Sequence, residues 1–319
     1  MEEKGVISKG RLFQIISYHK NKGNKKTQKK FNLKEETLGR YLRRARQFYP
    51  DIYEKTGRKA KILIFDIENS PNVVHTWGLW NVNVAINQIQ QPWYILSWAA
   101  KWLGEGDVFF DALSQYPSTF ANDPTDDRAI CESMWELLDE ADIVITHNGL
   151  HHDIPKLKSQ FIKHGIPPYS PIKHIDTCKS SRGMGFTSKK LQFIAQHLGI
   201  GQKLAHTGHQ LWTDCMNPVL DEEAWDLMVE YNCVDVELLE GVYLALRPWI
   251  QSHPNITLYS DAKEIACVKC GGAVEKDVDA YTASNIYEGY HCTECGSWSR
   301  SRYQKITTER KKKILTNYL

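Results

Sequence analysis

An apolar run, Lys61-Ile-Leu-Ile-Phe-Asp66-Ile-Glu68-Asn69, carries two carboxylates two residues apart. Its length and composition predict a buried strand. On a strand, residues i and i+2 share a face, so Asp66 and Glu68 stand side by side at its end. Two like charges in such a place are costly unless a cation lies between them. A divalent ion, which prefers carboxylate oxygen, would serve. Alone, the pair also reads as an exposed strand end with two solvated acids. Two further features weigh against that. Asp153 follows the short apolar run Ile143-Val-Ile-Thr146 and the turn signal His147-Asn-Gly149, and it opens a helix carrying Leu157, Phe161 and Ile162. Tyr231 and Asp235 lie at i, i+4 on a long helical pattern from Glu222 to Leu246, and so share a face.

A second group of possible ligands lies near the C-terminus. Cys267-Val-Lys-Cys270-Gly and Cys292-Thr-Glu-Cys295-Gly are separated by 21 residues. Four thiolates in two such pairs suit one tetrahedral Zn²⁺, and each following glycine permits the tight turn around it. A pair of disulfides is the alternative, and it fits an intracellular chain poorly. Cys131, Cys178, Cys215 and Cys233 read as reduced residues in or near the core. His147, His151 and His152 flank the Asp153 turn without a matched fourth ligand, so they do not read as a separate metal centre.

These residues must be positioned by elements. Val73–Trp80, Tyr94–Trp102 and Val108–Phe110 read as further strands, in an antiparallel meander after the first one. Asp126–Asp139, Ser188–Leu198 and Glu222–Leu246 read as helices, and Ile143–Thr146 and Ile172–Thr177 as strands. Strands followed by strand–helix alternation predict an α/β fold, a mixed sheet with helices on its faces. His75, Trp77 and Trp80 suit stacking on the bases of a single strand, or packing in the core.

Charge divides the chain. Residues 1–60 hold 17 Lys and Arg against 6 Asp and Glu, and the rest hold 23 against 32. A basic polyanion-binding module joined to a more acidic body is the expectation. Residues 1–57 read as a small helical domain, with a short helix at Thr27–Phe31 broken by Asn32-Leu33. A last amphipathic helix presents Leu38, Tyr41, Leu42, Ala45 and Phe48 on one side. The order resembles a helix-turn-helix, with Arg40, Arg43 and Arg44 as nucleic-acid contacts. A protein-docking three-helix unit has the same outline. At the other end, Trp298, Arg300, Arg302, Tyr303 and Lys305 interleave aromatic and basic residues, as nucleic-acid contact requires. They precede the basic run Arg310–Lys313. No stretch of about 18 apolar residues occurs and the first residues form no apolar signal region. A soluble, cytoplasmic protein without membrane contact is the expectation.

Three motifs together resemble a known family. Phe65-Asp66-Ile67-Glu68, then His147-Asn148-Gly149-Leu150-His151-His152-Asp153, then Tyr231-Asn232-Cys233-Val234-Asp235 are similar to the motifs of the DEDD 3′–5′ exonucleases. These form the DnaQ-like group of the ribonuclease H-like superfamily, and the third motif here is in its tyrosine form. The spacings are 87 and 82 residues, and the resemblance covers residues 60–247. Departures are His152, where an aromatic or apolar residue is usual, and Asn69, where Thr is common. The resemblance implies a ribonuclease H-like mixed sheet over residues 58–255, between the helical domain and a zinc ribbon at 258–305, with a basic tail at 306–319. It implies two Mg²⁺ or Mn²⁺ held by Asp66, Glu68, Asp153 and Asp235, with Tyr231 orienting the attacking water and Zn²⁺ in the ribbon. Asn69, Asn148 and Trp77 would contact nucleic acid. The implied activity is hydrolysis from a single-stranded 3′ end, DNA favoured, alongside a polymerase, repair or replication partner. A ribonuclease, a structure-selective nuclease of the same fold and a non-catalytic nucleic-acid-binding protein remain the alternatives.

Overall fold

The computed structural model describes residues 59–260 and 264–316 and, ahead of them, Ile15, Tyr18, 25–35, Thr37, Leu38 and Tyr41. The chain divides into two compact units, Met1–Arg58 and Lys59–Leu319. In the first, residues 25–31 are helical. Asn32 ends that helix with φ at +50°, a conformation asparagine tolerates better than most residues. Ile15, Thr27 and Leu38 are buried, and Tyr18 meets Phe31 edge to face at 5.6 Å. Arg40, Arg43 and Arg44 of the expected recognition helix lie outside the described residues.

The second unit is organised on ten strands: β1 (Ile62–Asn69), β2 (Val73–Val74), β3 (Ile89–Gln91), β4 (Ile95–Trp102), β5 (Phe109–Ala112), β6 (Ile143–Thr146), β7 (Lys173–Asp176), β8 (Val274–Tyr281), β9 (Ile286–Cys292) and β10 (Trp298–Gln304). Its helices are α1 (Pro117–Asn122), α2 (Arg128–Glu140), α3 (Asp153–Lys163), α4 (Thr177–Ser180), α5 (Leu191–His197), α6 (His209–Cys215), α7 (Glu222–Leu246) and α8 (Thr308–Lys311). Five strands form one sheet in the order β5-β4-β1-β6-β7. β4 and β5 run antiparallel to their neighbours, and β1, β6 and β7 run parallel.

The central place of β1 explains its sequence. Both faces are covered, so the strand is apolar on both sides. Leu63, Phe65 and Ile67 join a core with Met134 and Leu138 of α2 and Leu157 and Phe161 of α3. Ile62 and Ile64 point the other way, into a core with Val236, Leu239, Val242 and Tyr243 of α7. Asp66 and Glu68 continue this second face by the period of two, towards α7. Their partners across β4 are the small residues Ala99 and Ser97.

The long helix α7 starts at a side-chain cap, where Asp221 accepts from the Ala224 N–H at 3.1 Å. It ends at Leu246, before Arg247-Pro248, which cannot continue it. The observed meander is β1-β4-β5. The expected strand at Val73–Trp80 is a correction: only Val73 and Val74 are extended, paired with β3 in a separate ribbon. Trp77, Gly78, Leu79 and Trp80 have no apolar surface to pack against and stand exposed. β8, β9 and β10 form a separate antiparallel sheet carrying the cysteine pairs. Among the described residues, no helix is long and apolar enough to cross a membrane.

Candidate active site

Asp66 and Glu68 leave β1 towards α7, and Asp235 meets them from α7. One carboxylate oxygen from each of the three lies within 4.8 Å of the others. Asp153 belongs to the same sheet edge but is held differently. It is buried, and its Oδ1 accepts from the Ile67 N–H at 3.2 Å. The fourth acid is thus tied to the backbone between the first two, outside the three-carboxylate cluster.

The second motif is folded for that purpose. Asn148 has φ at +68°. A Cβ on Gly149 would collide with the Thr146 side chain, whose Oγ1 accepts from the Gly149 N–H at 3.1 Å. Only glycine fits that approach. Asp176, at the end of β7, accepts from the Asn148 and Leu150 N–H groups at 3.0 and 3.2 Å. It also caps α4 through the Lys179 N–H at 3.0 Å. Asp176 is therefore a structural carboxylate that sets the turn before Asp153.

The electrostatics show what the cluster lacks. Burial, then Asp153, Glu68 and Asp235, push the Asp66 carboxyl well above the usual carboxylate range. Burial and Asp235 push Glu68 up to about 8. Burial raises Asp235 against the opposing pull of Lys203. Asp235 Oδ1 is buried with no hydrogen-bond partner among the described residues. Buried polar atoms are nearly always satisfied, so this oxygen and the raised carboxyls fit a cationic ligand in the cluster. Hard divalent ions match such an oxygen set.

Sequence reasoning missed the residues that frame the acids. Lys203, in the loop between α5 and α6, donates to the Tyr231 hydroxyl at 2.8 Å and forms an ion pair with Asp235. Trp212 of α6 donates its indole N–H to Glu68 Oε2 at 3.1 Å. His206 packs edge-on between Trp212 and Tyr231, at ring distances of 5.1 and 4.8 Å. Asn232 donates to Asp66 Oδ2 at 3.1 Å, with its own Oδ1 facing the Ser97 hydroxyl. Its place between Tyr231 and Asp235 in the third motif was the one available signal. Burial and Asp235 raise the Tyr231 phenol further, so it stays protonated.

A cleft of about 620 Å³ opens over these groups, lined by Asp66, Asn148, Lys189, Lys203, Tyr231 and Asp235. That is within the ~300–1,000 Å³ span of ligand clefts. Of the expected nucleic-acid contacts, Asn148 lines it. Asn69, at the end of β1, spends its amide on the Ser70 carbonyl at 2.7 Å. Trp77 is on the β2–β3 ribbon and fully exposed, at 101%, with Trp80 at 88%. Core packing is thus ruled out for both. His147 is occupied by the Thr177 hydroxyl and the Lys189 carbonyl.

The four C-terminal sulfurs form a second cluster within 4.8 Å of one another. Cys267–Cys295 and Cys270–Cys292 sulfur separations are 3.6 and 3.5 Å, and none of the four is in a disulfide. A tetrahedron with Zn–S bonds of about 2.3 Å has edges of about 3.8 Å. Gly271 takes φ of +76°, which lets the following Gly272 amide turn back to the Cys270 sulfur at 3.4 Å; Gly296, with φ of +72°, lets the Ser297 carbonyl return to the Cys292 N–H at 2.9 Å.

Residues 103–247 match the family model described as RNase_H superfamily, a span that begins after β1 and contains Asp153, Tyr231 and Asp235. The five-stranded mixed sheet with helices on its faces is consistent with a ribonuclease H-like fold. A comparison with curated proteins gives no match. Among solved structures, the chain is similar to the family B DNA polymerase from the hyperthermophilic archaeon Pyrobaculum calidifontis, at 16% identity and a TM-score of 0.44. That similarity covers 60% of this chain and 25% of the polymerase chain.

Proposed function

We propose that the protein is a metal-dependent 3′–5′ exonuclease that hydrolyses phosphodiester bonds, with DNA as the favoured substrate. The observation that carries the reading is the cluster of Asp66, Glu68 and Asp235, with the unpartnered Oδ1 of Asp235. Asp66, Glu68 and Asp235 would hold two Mg²⁺ or Mn²⁺ ions, and Asp153 would support them from the neighbouring edge. Bound there, the ions supply the charge that activates a water and stabilises the leaving oxygen. Asn232 and Trp212 fix the Asp66 and Glu68 carboxylates against rotation. Tyr231, protonated, positions the attacking water instead of deprotonating it. Lys203 and Lys189 present positive charge to the phosphate at the cleft. The cysteine cluster would hold one Zn²⁺ and fix the β8–β10 module.

The test uses 5′-labelled single-stranded DNA, duplex DNA and RNA, each with Mg²⁺, Mn²⁺ or no added divalent metal. A ladder shortening from the 3′ end of DNA, absent without metal and in Asp66→Ala, is the expected result. A preference for RNA would reassign the substrate. Tight binding with no cleavage of any strand would sink the enzymatic reading in favour of a binding protein.

A further inference from the structure

Three openings on the second unit follow one another. The first is the cleft over Asp66 and Asp235, whose wall includes Asn148 and Cys178. The second is lined by Leu150, His174, Asp176, Lys179, Trp249 and Gln251. It shares no lining residue with the first, but the two are neighbours: Asp176 binds the amides of both Asn148 and Leu150, and Cys178 and Lys179 are consecutive. The second includes residues of β7, the edge strand of the sheet. The third shares Trp249 and Gln251 with the second and continues to Lys269, Trp298 and Arg300 on the cysteine module. Taken as one groove, they run from the carboxylate cluster, past the sheet edge, to the β8–β10 sheet.

Its chemistry is uneven in a telling way. Beyond the carboxylate cluster, the one acid among its described lining residues is Asp176, whose oxygens are already taken by three backbone amides. Lys179 and Arg300 are cationic, whereas the buried Lys269 spends its ammonium on the Pro248 carbonyl at 2.6 Å. Trp249 and Trp298 stand 71% and 51% exposed. Trp298 is backed by His291 at a ring distance of 4.8 Å, and Arg300 is held over the Tyr287 ring at 3.9 Å. The Trp298 indole and the Arg300 guanidinium thus each rest on an aromatic neighbour. Basic groups that follow a backbone and aromatic faces that accept bases are what an unpaired strand needs. A duplex would shield its bases from both indoles.

We propose that this groove is a binding track for single-stranded nucleic acid, with Trp249 and Trp298 as base-stacking stations between the cysteine module and the carboxylate cluster. The strand end lies in the cleft and the chain behind it passes Lys179 and Trp249 to reach Trp298. The track rests on the nuclease reading for its direction, though not for its existence.

The test measures binding, so that it does not depend on cleavage. Full-length Asp66→Asn protein with zinc retained is titrated with fluorescent deoxy and ribo strands of about 4 to about 24 nucleotides, single-stranded and duplex. Affinity should climb with length and level off once the strand reaches Trp298. With Trp249→Ala and Trp298→Ala combined, binding of the longest single strand should fall about ten-fold or more, while that of the shortest changes less than about two-fold. Gln251→Glu and Arg300→Glu, both at exposed positions, should act in the same direction without removing core. Zinc content confirms that the module stays folded. The proposal is overturned if affinity does not depend on length, if the double variant weakens short and long strands equally, or if duplex binds as well as single strand. If the unmodified protein cleaves nothing while the length dependence and its loss hold, the track stands and the hydrolytic reading falls. A difference between the deoxy and ribo series decides the sugar.

Discussion

Glu68→Gln should make the metal-free protein more stable at neutral pH, which is the reverse of what a structural carboxylate would do. Burial and Asp235 hold Glu68 protonated up to about pH 8 in the folded chain, against an ordinary value of 4.5. Folding therefore takes up a proton between those two pH values. The folded state binds more protons than the unfolded one there, so stability is complete below 4.5 and falls as pH rises towards 8. Each pH unit is worth about 1.4 kcal/mol, or about 4 kcal/mol at pH 7.5 for a fully dehydrated group. Glu68 is half-buried and accepts from Trp212, so solvent reduces this to about 1–3 kcal/mol. Glutamine keeps the shape and the indole contact and removes the titration. We expect its unfolding midpoint to exceed that of the unmodified protein by about 3–10 °C at pH 7.5 and to match it at pH 4.5. Added Mg²⁺ should shrink the difference: at 100 times Kd it stabilises the unmodified protein by about 2.7 kcal/mol, and the variant by less. Calorimetry at the two pH values, with and without Mg²⁺, reads all four states. If Glu68→Gln lowers the midpoint equally at both pH values, the carboxylate is structural and the account of the cluster is wrong.

Three further outcomes follow from the same geometry. Lys203→Met leaves Asp235 without its cation; the metal-free protein should lose about 1–3 kcal/mol, and Mg²⁺ should raise its unfolding midpoint by no more than it raises that of the unmodified protein. Tyr231→Phe should lower kcat by up to about 100-fold through loss of water positioning, with KM and the shape of the pH–rate profile unchanged; loss of the rise of rate with pH would instead make the phenol a proton acceptor. Cys267→Ser should reduce metal content from about one zinc per chain to none and abolish the protection of β8–β10 amides from hydrogen exchange; full protection without zinc would show that the module folds on its own core.

The parts of this fold legible from sequence are those in which one local rule decides the outcome. The apolar run of β1 declares a strand covered on both faces, and alternation then assigns Asp66 and Glu68 to one of them. The 25-residue α7 is bounded by an Asp cap and by Arg247-Pro248, and its i, i+4 spacing delivers Tyr231 and Asp235 to the same place. The segment from Val73 to Trp80 misled because β-branched and aromatic residues look alike in a strand and on an exposed loop. What distinguishes them is whether a partner surface exists, and that is a tertiary fact. The order of the strands was open for the same reason, since β1 pairs with β6 across 81 residues of chain, Ile62 opposite Ile143.

Lys203 shows why the site was only half legible. Acids that gather around a cation are marked by spacing, because each must lie at a fixed place on a strand or helix. The cation that answers them in the metal-free protein can come from any loop long enough to reach. Lys203 follows Gly199-Ile-Gly201 with no periodicity of its own, and nothing in the local pattern separates it from Lys189 or Lys190. Three dimensions single it out, because it both touches Tyr231 and pairs with Asp235. The same contact bears on metal entry. Lys203 meets Asp235 through Oδ2 and leaves Oδ1 open, so an incoming ion can bind Asp235 without first displacing the lysine. Lysine and ion would then share one carboxylate, and Lys203 would keep its hold on Tyr231. If instead the two competed, Lys203→Met would bind Mg²⁺ more tightly than the unmodified protein and position its water no worse. Mg²⁺ titrations of the two proteins, followed by single-turnover cleavage at saturating metal, separate these cases: sharing predicts weakened cleavage in the variant even at saturation, and competition predicts full recovery.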